Sequence, residues 1–504
     1  MPAPSTTVSY ERRRPELSVL YQVVQENLLT LYDAVEEGAL KIALPDFVKK
    51  ELEGSLTCGM LCWGIARLAC EDASCGERRV VGFACKGRGF CPSCLGRRMS
   101  AISSHLMDEV MPPVGIRQWV LTFPYPWRSR LGHDAKLLST LTRLFVQTVV
   151  EFYAMRGGRK GDQSGSVTAV QRTSSDLKLQ PHLHAVFLDG VYREEDGELA
   201  FHALQRLSTT EVAQVLERTS KRMRRWLKRR GLLQHDGETD DDTEDGAAML
   251  AASAVSGQRP PAGPEWRRGA LPFASRPLKY ERDLCVALDG FTLHAATRAG
   301  GQDPKAREAL LKYILRPAVA RERITRGPDG LVRVLLKKPF SDGTVAVDMD
   351  PLSLMVRLAA SVPAPYFHTT RYAGVLASAS KLRPRIAPNP PPSALPEVPE
   401  PQPGASGPPT HEEPEVPRRK RSYRPYVELM KRTFGDDIMK CTRCGGRMRL
   451  VALVTDPKSV ARYLRGIGEP TDVPKRAPAR GPPYWQSTVL RRRAGACGGD
   501  EAAQ

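Results

Sequence analysis

Apolar residues recur at helical spacing at Leu20, Val23, Leu28, Leu31 and Val35, which predicts a helical segment over residues 1–57. Further on the period changes. Arg117 to Phe123 reads as a strand halted by Pro124, and Ser166 to Thr173 reads as another. Between them, Leu137, Leu138, Leu141, Leu144, Phe145 and Val149 form the apolar side of a long helix from about Asp134 to Arg156. Leu179-Gln180-Pro181-His182-Leu183-His184 runs into the apolar Ala185-Val186-Phe187-Leu188 and stops at Asp189-Gly190, one strand ending in a turn. Ser174-Ser175-Asp176 is short enough to join it antiparallel to the Ser166–Thr173 strand. Phe291 to His294 reads as a short strand. Asp303 can then cap a helix that Pro304 begins and Pro317 ends, with Leu310, Leu311, Ile314 and Leu315 as its buried stripe. Residues 331–375 read as strands and a short helix, and a last helix near Tyr423 carries Val427, Leu429, Met430 and Phe434. Helices interspersed among antiparallel strands predict an α+β architecture.

Polar and breaker runs divide this pattern. From Lys221 to Arg230 seven of ten residues are Lys or Arg, with Trp226 among them, and from Asp236 to Asp245 seven of ten are Asp or Glu. A basic helix followed by an acidic low-complexity run suggests a DNA-facing helix and a disordered insertion over 232–272. Twelve prolines in the thirty residues 388–417 mark an extended linker, taken as 388–422, and residues 476–504 form a basic, Gly-containing tail.

Length and charge sharpen the picture. At 504 residues the chain should hold about three domains. A net charge of +19 favours a polyanionic partner, nucleic acid first. No apolar run reaches membrane-spanning length and Met1 to Arg14 has no signal-peptide core, so a cytoplasmic protein is expected.

In that compartment cysteines serve metals more often than bridges. Residues 58–94 hold seven: Cys58, Cys62, Cys70, Cys75, Cys85, Cys91 and Cys94. Cys70-x4-Cys75 and Cys91-x2-Cys94 have zinc-knuckle spacing, and the first four-thiolate site drawn from spacing alone is Cys70, Cys75, Cys91 and Cys94. Cys58 and Cys85 complete a second site or replace one of these, and Cys62 is the weakest candidate. Arg88 and Arg97, with Lys86 and Arg98, suit phosphate contacts. Cys441-x2-Cys444 is another knuckle but lacks a visible second pair, because Cys497 lies far off in the tail. It stands as a possible zinc site or a degenerate ribbon.

His182 and His184 alternate with Leu183, so both imidazoles share one strand face, about 7 Å apart along the chain. Such a pair can converge on one divalent ion, or sit on a solvated face. Tyr313, read alone, is a half-buried helix aromatic.

Taken as a set, these pieces resemble a family. Phe83 to Cys94, Arg117 to Pro124, Pro181-His182-Leu183-His184 through Tyr192, and Leu311-Lys312-Tyr313-Ile314-Leu315-Arg316-Pro317 with Arg321 to Ile324 are similar, in order, to rolling-circle transposases of the HUH superfamily. The group is insertion sequence ninety-one, in particular its common-region relatives. Arg371-Tyr372-Ala373-Gly374 and the Cys441 module add to the likeness, which spans about residues 55–470. It implies an α+β chain with an antiparallel-sheet HUH nuclease domain over 113–330, extended by 331–387. A zinc-binding module over 58–112 and a zinc-ribbon-like module over 423–475 flank it. It also implies a reaction: cleavage and rejoining of single-stranded DNA at element ends through a 5′-phosphotyrosyl intermediate, with Tyr313 as nucleophile and Arg316 beside the phosphate. His182 and His184 would hold Mg²⁺ or Mn²⁺ with Gln171 as third ligand, Glu308 being the second choice. Zn²⁺ would sit in the cysteine modules. Arg224, Arg225 and Trp226 would track the strand.

Some members carry two tyrosines four apart. Here the residues four before and four after Tyr313 are Ala309 and Pro317, so a single-tyrosine cycle is implied. Its second cleavage would come from self-association, a reset tyrosine or a host enzyme. A plasmid initiator or relaxase would share the histidines and tyrosine, but its fused helicase is not evident, since the chain shows no GxxxxGK[ST] loop. A non-catalytic zinc-dependent DNA-binding protein is the other alternative, and the intact set His182, His184 and Tyr313 argues against it.

Overall fold

A computed structural model of the chain describes residues 13–40, 42–204, 206–233, 271–340, 342–388, 425–434 and 437–481. Most of the stretches read as an insertion, a Pro-rich linker and a tail lie outside the described residues, as does Cys497. The fold mixes helices with antiparallel sheets.

At its centre is an eight-stranded antiparallel sheet. Its path runs Thr370–Gly374, Gly165–Thr173, Leu179–Leu188, Ile116–Thr122, Phe291–His294, Cys285–Leu288, Lys279–Arg282, and Arg298–Ala299 adds to the Ile116–Thr122 strand. The histidine strand Leu179–Leu188 therefore lies inside the sheet, between Gly165–Thr173 and Ile116–Thr122. Alternation along it divides the molecule. Leu183, Ala185 and Phe187 join Trp119, Leu121 and Val170 in a core covered by the helices Ala135–Gly157 and Thr209–Arg229. On the other face Val186, Leu188, Ile116, Val167 and Ala169 pack under Leu310, Leu311 and Ile314 of the tyrosine helix, Pro304–Ile314. His182 and His184 belong to that second face.

The predicted N-terminal helices form, as Val19–Glu36 and Asp46–Ser55. They share one core with the small sheet Ile324–Arg326, Val332–Leu335, Ala346–Met349 and the helix Pro351–Ser361. Residues 19–60 and 319–362 thus pack around one core.

The two cysteine modules are likewise joined. Met448–Val454 pairs antiparallel with Ile65–Cys70, which pairs with Arg78–Gly82, so a three-stranded sheet is built from opposite ends of the chain. The Cys441 module is not an independent ribbon. Its strand needs an edge to pair with, and the N-terminal hairpin supplies one.

Candidate functional site

Why the histidines converge begins with Pro181. The register against Gly165–Thr173 shifts between Gln171 and Thr173, where Leu179 to His182 carry one more residue than the partner strand. Proline lacks the ladder N–H and is tolerated at such a bulge, whose extra twist re-aims the neighbouring side chain. Beyond it His182 lies opposite Gln171 on one side and Thr122 on the other, and His184 opposite Ala169 and Val120. The two imidazole centroids are 4.9 Å apart.

Each ring is anchored through Nδ1. The Nδ1–H of His182 donates to the Gln180 carbonyl at 2.8 Å, which leaves Nε2 as the lone-pair end. The side-chain amide nitrogen of Gln118 lies 2.6 Å from His184 Nδ1. Turning that carboxamide puts oxygen at the same place, and Nδ1–H then donates to it, freeing Nε2 of His184 as well. Burial lowers the pKa of both rings, His184 to about 3, with His182 and Lys337 adding to the effect at His184. Both are therefore neutral near pH 7, the protonation state a metal ligand needs.

Among the described residues no Cys, Asp, Glu or further His completes a three-ligand group with this pair. The remaining donor type is an amide. Gln171 stands across from His182, and its Nε2 donates to the Ile314 carbonyl at 3.0 Å, so its Oε1 is the end left for a cation. Glu308, the other candidate, is committed elsewhere: its carboxylate meets Arg432 at 2.9 and 3.2 Å and Lys312 at 3.1 Å. The chemistry of the set suits a divalent ion held by two neutral imidazoles and an amide oxygen.

Tyr313 arrives from the helix above. The Asp303 carboxylate accepts from Ala306 N at 2.9 Å and Pro304 occupies the first turn, which fixes where the helix starts. Its apolar stripe seats on the sheet and leaves Tyr313 53% exposed, its ring edge-to-face with His184 at a centroid distance of 5.9 Å. Next to it, Gln171, Ile314 and Arg316 line a cavity of about 130 Å³ whose other polar walls include Arg88, Arg98 and Arg172. Among the described residues no carboxylate lines it. Arg172 donates to the Gly132 and Ala360 carbonyls, and Arg88 to the Phe367 carbonyl. Arg98 projects from the helix Pro92–His105, which starts at Cys91. The nearby acid, Glu51, accepts backbone N–H groups of Arg88 and Gly89 and so braces the loop beneath. With Arg88, Arg98, Arg172 and Arg316 among its lining residues, the cavity is basic and suits the phosphates of a strand.

Sequence reasoning missed Gln118, Arg172 and Lys337. Gln118 was legible in principle, since it alternates with Trp119 on a strand that had been recognised. Lys337, in the Lys-Lys pair just after Val332–Leu335, acts on both histidines electrostatically, and its own pKa is lowered to about 8 by desolvation and by Arg323 and Arg316.

Arg224 and Arg225 line a second basic groove of about 740 Å³ with Lys221, Lys228 and Arg276, on the helix covering the opposite face of the sheet from His182. Trp226 is half-buried: it packs against the core, with Arg230 over its ring at 5.6 Å. Arg97 lies half-buried on the zinc helix beside Arg98, one position away from the cavity wall.

The cysteines also regroup. Cys58, Cys85, Cys91 and Cys94 form one cluster, and Cys70, Cys75, Cys441 and Cys444 the other. The Cys70/Cys75/Cys91/Cys94 set fails because the hairpin carries the first pair to the edge that receives the C-terminal knuckle. Cys62 joins neither cluster. Sγ separations of 3.4, 3.4 and 3.7 Å in the first and 3.5 and 3.7 Å in the second compare with about 3.8 Å for four thiolates 2.3 Å from a tetrahedral zinc. Both donor sets fit Zn²⁺.

Residues 31–123 match the family described as "Transposase zinc-binding domain", of the IS91 type, and residues 165–383 match that described as "Putative transposase". Together they span more than half of the chain. The chain belongs to the IS91-type transposases. No curated protein and no solved structure matches it. The transposase match covers His182, His184, Gln171, Tyr313 and Arg316, and the zinc-domain match covers the first thiol cluster but only half of the second. Among its described residues the transposase has no helix long and apolar enough to cross a membrane.

Proposed function

We propose that this transposase cleaves and rejoins single-stranded DNA at the ends of its element by a tyrosine-nuclease reaction of the HUH type, in a rolling-circle cycle. The observation that carries the reading is the approach of the Tyr313 ring to the His182–His184 pair from a separate element, 5.9 Å from His184. Half-exposed, Tyr313 is reachable by a strand. Its Oη–P bond forms as the P–O3′ bond breaks. The phenolic proton leaves to solvent and the 3′ oxygen departs and is protonated, giving a 5′-phosphotyrosyl link and a free 3′-OH. A later 3′-OH reverses the step and rejoins strands.

His182 and His184 through Nε2, with Gln171 Oε1, would hold the Mg²⁺ or Mn²⁺. When bound, the ion supplies Lewis-acid polarisation of the phosphate and charge stabilisation at the 3′ oxygen. Arg316 and the arginines of the adjoining cavity hold the flanking phosphates, so that the scissile one sits between Tyr313 and the histidines. Zn²⁺ in the cysteine clusters is structural: all four positions are thiolates and none is left open for substrate. Helix Pro304–Ile314 carries one tyrosine, so the second cleavage uses Tyr313 of another copy or the same residue after release.

The test is a denaturing gel of zinc-loaded protein mixed with 5′- and 3′-labelled single-stranded oligonucleotides covering the element ends and Mn²⁺ or Mg²⁺. A covalent adduct retaining DNA 3′ of the nick, absent with Tyr313→Phe although binding persists, is expected. An adduct in the Phe variant refutes Tyr313 as nucleophile.

A further inference from the structure

We infer that Cys70, Cys75, Cys441 and Cys444 form a second zinc site that closes the C-terminal segment onto the catalytic face, and that this segment delivers Arg432 as a positioning residue for the tyrosine helix. The inference rests on Tyr313 being the nucleophile for its functional meaning, though not for its geometry.

The site is discontinuous. Its two halves are 366 residues apart at Cys75–Cys441 and 374 apart at Cys70–Cys444, yet the sulfurs lie 3.7 and 3.5 Å from each other. These separations fit thiolates sharing an ion and exceed the roughly 2.05 Å of a disulfide. Protein contacts hold the segment as well: Arg79 donates to the Ile438 carbonyl at 3.0 Å and Arg443 to the Cys75 carbonyl at 2.7 Å. Met448–Val454 adds to Ile65–Cys70 as an edge strand with a register break, and Leu450, Val451 and Leu453 face solvent. Apolar contact comes from small clusters around Met448 and around Val460 with Leu464, and from the buried Leu429 and Ile438. A metal ion held by all four thiols would add to these contacts a tie between the two ends of the chain.

Before the knuckle comes the helix Tyr426–Phe434, wedged between the zinc helix and the tyrosine helix. Ser100 Oγ donates to the Leu429 carbonyl at 3.4 Å. The Arg432 guanidinium forks onto Glu308 at 2.9 and 3.2 Å and reaches Asp108 at 3.1 Å, while Lys312 Nζ donates to the Arg432 carbonyl at 3.3 Å. Glu308 and Lys312 share the outer face of the tyrosine helix, and Lys312 immediately precedes Tyr313. The helix is thus held on both sides: Leu310, Leu311 and Ile314 against the sheet, Glu308 and Lys312 against Arg432. Beyond the knuckle the chain runs on to the N-terminal helix, where Gln25 Nε2 donates to the Lys475 carbonyl at 2.8 Å. One segment fastens three bodies, and the second zinc site is its anchor.

The experiment uses full-length protein throughout. Metal content by mass spectrometry should give two zinc ions per chain, falling to one in the Cys441→Ser/Cys444→Ser double variant. Hydrogen exchange of peptides covering residues 304–314 should speed up at least tenfold in that variant and in Arg432→Ala, with peptides covering 179–188 unchanged. In single-turnover adduct formation Arg432→Ala should be about tenfold slower while its Kd for an oligo-dT strand stays within twofold of wild type, and Arg432→Lys should recover most of the rate. One zinc per wild-type chain, or unchanged exchange at 304–314 in Arg432→Ala, overturns the inference. If the cysteine variant fails to fold, Arg432→Ala and Arg432→Lys decide it. An adduct that survives Tyr313→Phe would refute the nucleophile assignment and leave the zinc count and exchange results standing on their own.

Discussion

Gln118→Leu is the most informative single change near the histidines. Gln118 is 2% exposed and its side chain lies 2.6 Å from His184 Nδ1, whereas His182 Nδ1 is held by a backbone carbonyl that substitution cannot remove. Leucine nearly conserves the volume and deletes the acceptor. His184 then lacks the partner that keeps its proton on Nδ1, and protonation at Nε2 blocks the atom that would meet the ion. Losing an outer partner of a metal-bound histidine typically costs about 10–100-fold in affinity, or about 1.4–2.8 kcal/mol. A buried N–H left unsatisfied falls in the same range, about 1–3 kcal/mol. Gln118→Glu is the matched control: its carboxylate accepts from Nδ1–H and should hold or raise affinity. The assay is Mn²⁺ binding to zinc-loaded protein, followed by the paramagnetic signal of free Mn²⁺. Wild-type affinity in the Leu variant, or weaker binding in Glu than in Leu, would refute the reasoning.

Three further outcomes follow from the same geometry. Burial first, then His182, hold the His184 pKa at about 3 against its ordinary 6.5. The folded chain therefore binds fewer protons than the unfolded chain between these values, and stability falls as pH drops through 6.5, by about 2 kcal/mol at pH 5 from this group. Urea unfolding at pH 7.5 and pH 5 should show that extra loss in wild type and not in His184→Asn. Arg98→Gln should weaken binding to single-stranded DNA and reduce the slope of log K against log salt by about 0.7, one phosphate contact; fluorescence anisotropy across a salt series checks it, and an unchanged slope removes Arg98 from the strand path. Arg117 is buried and forks onto Asp189 at 2.8 and 3.0 Å. Arg117→Met should cost about 3 kcal/mol in urea unfolding, the low end for a broken buried pair because Asp189 keeps some access to water.

The placement of His182, His184 and Tyr313 was legible in the chain. The alternation His182-Leu183-His184 put both rings on one sheet face, and Asp303-Pro304 at one end with Pro317 at the other set the limits of the helix that carries Tyr313. These are local signals, written in strand alternation, a cap and two prolines. The antiparallel pairing of the two strands was readable too, from a short polar connection. Grouping the cysteines was not, because spacing reports only partners near in sequence. Nothing around Cys441 says that its strand adds to the Ile65–Cys70 edge, and that pairing alone decides which thiols meet. The same holds for the contact of residues 19–55 with 324–362, two segments whose apolar faces fit each other at long range. Trp226 shows another limit: a basic run with one aromatic reads as a strand-binding surface, but how far its ring is covered follows only from the packing, which leaves it half-buried against the core.

The measurement that bears most directly on the central claim is the identity of the residue joined to DNA. Adduct formed on element-end oligonucleotides would be trimmed with nuclease, digested with trypsin and mapped by mass spectrometry. Cleavage after Lys312 and Arg321, with the Arg316–Pro317 bond resistant, yields one peptide spanning residues 313–321 with a single tyrosine. The account predicts a phosphate-linked nucleotide on that peptide, at Tyr313. The same mass increment on any other peptide, or a 3′-phosphate attachment in place of a 5′ one, would contradict it.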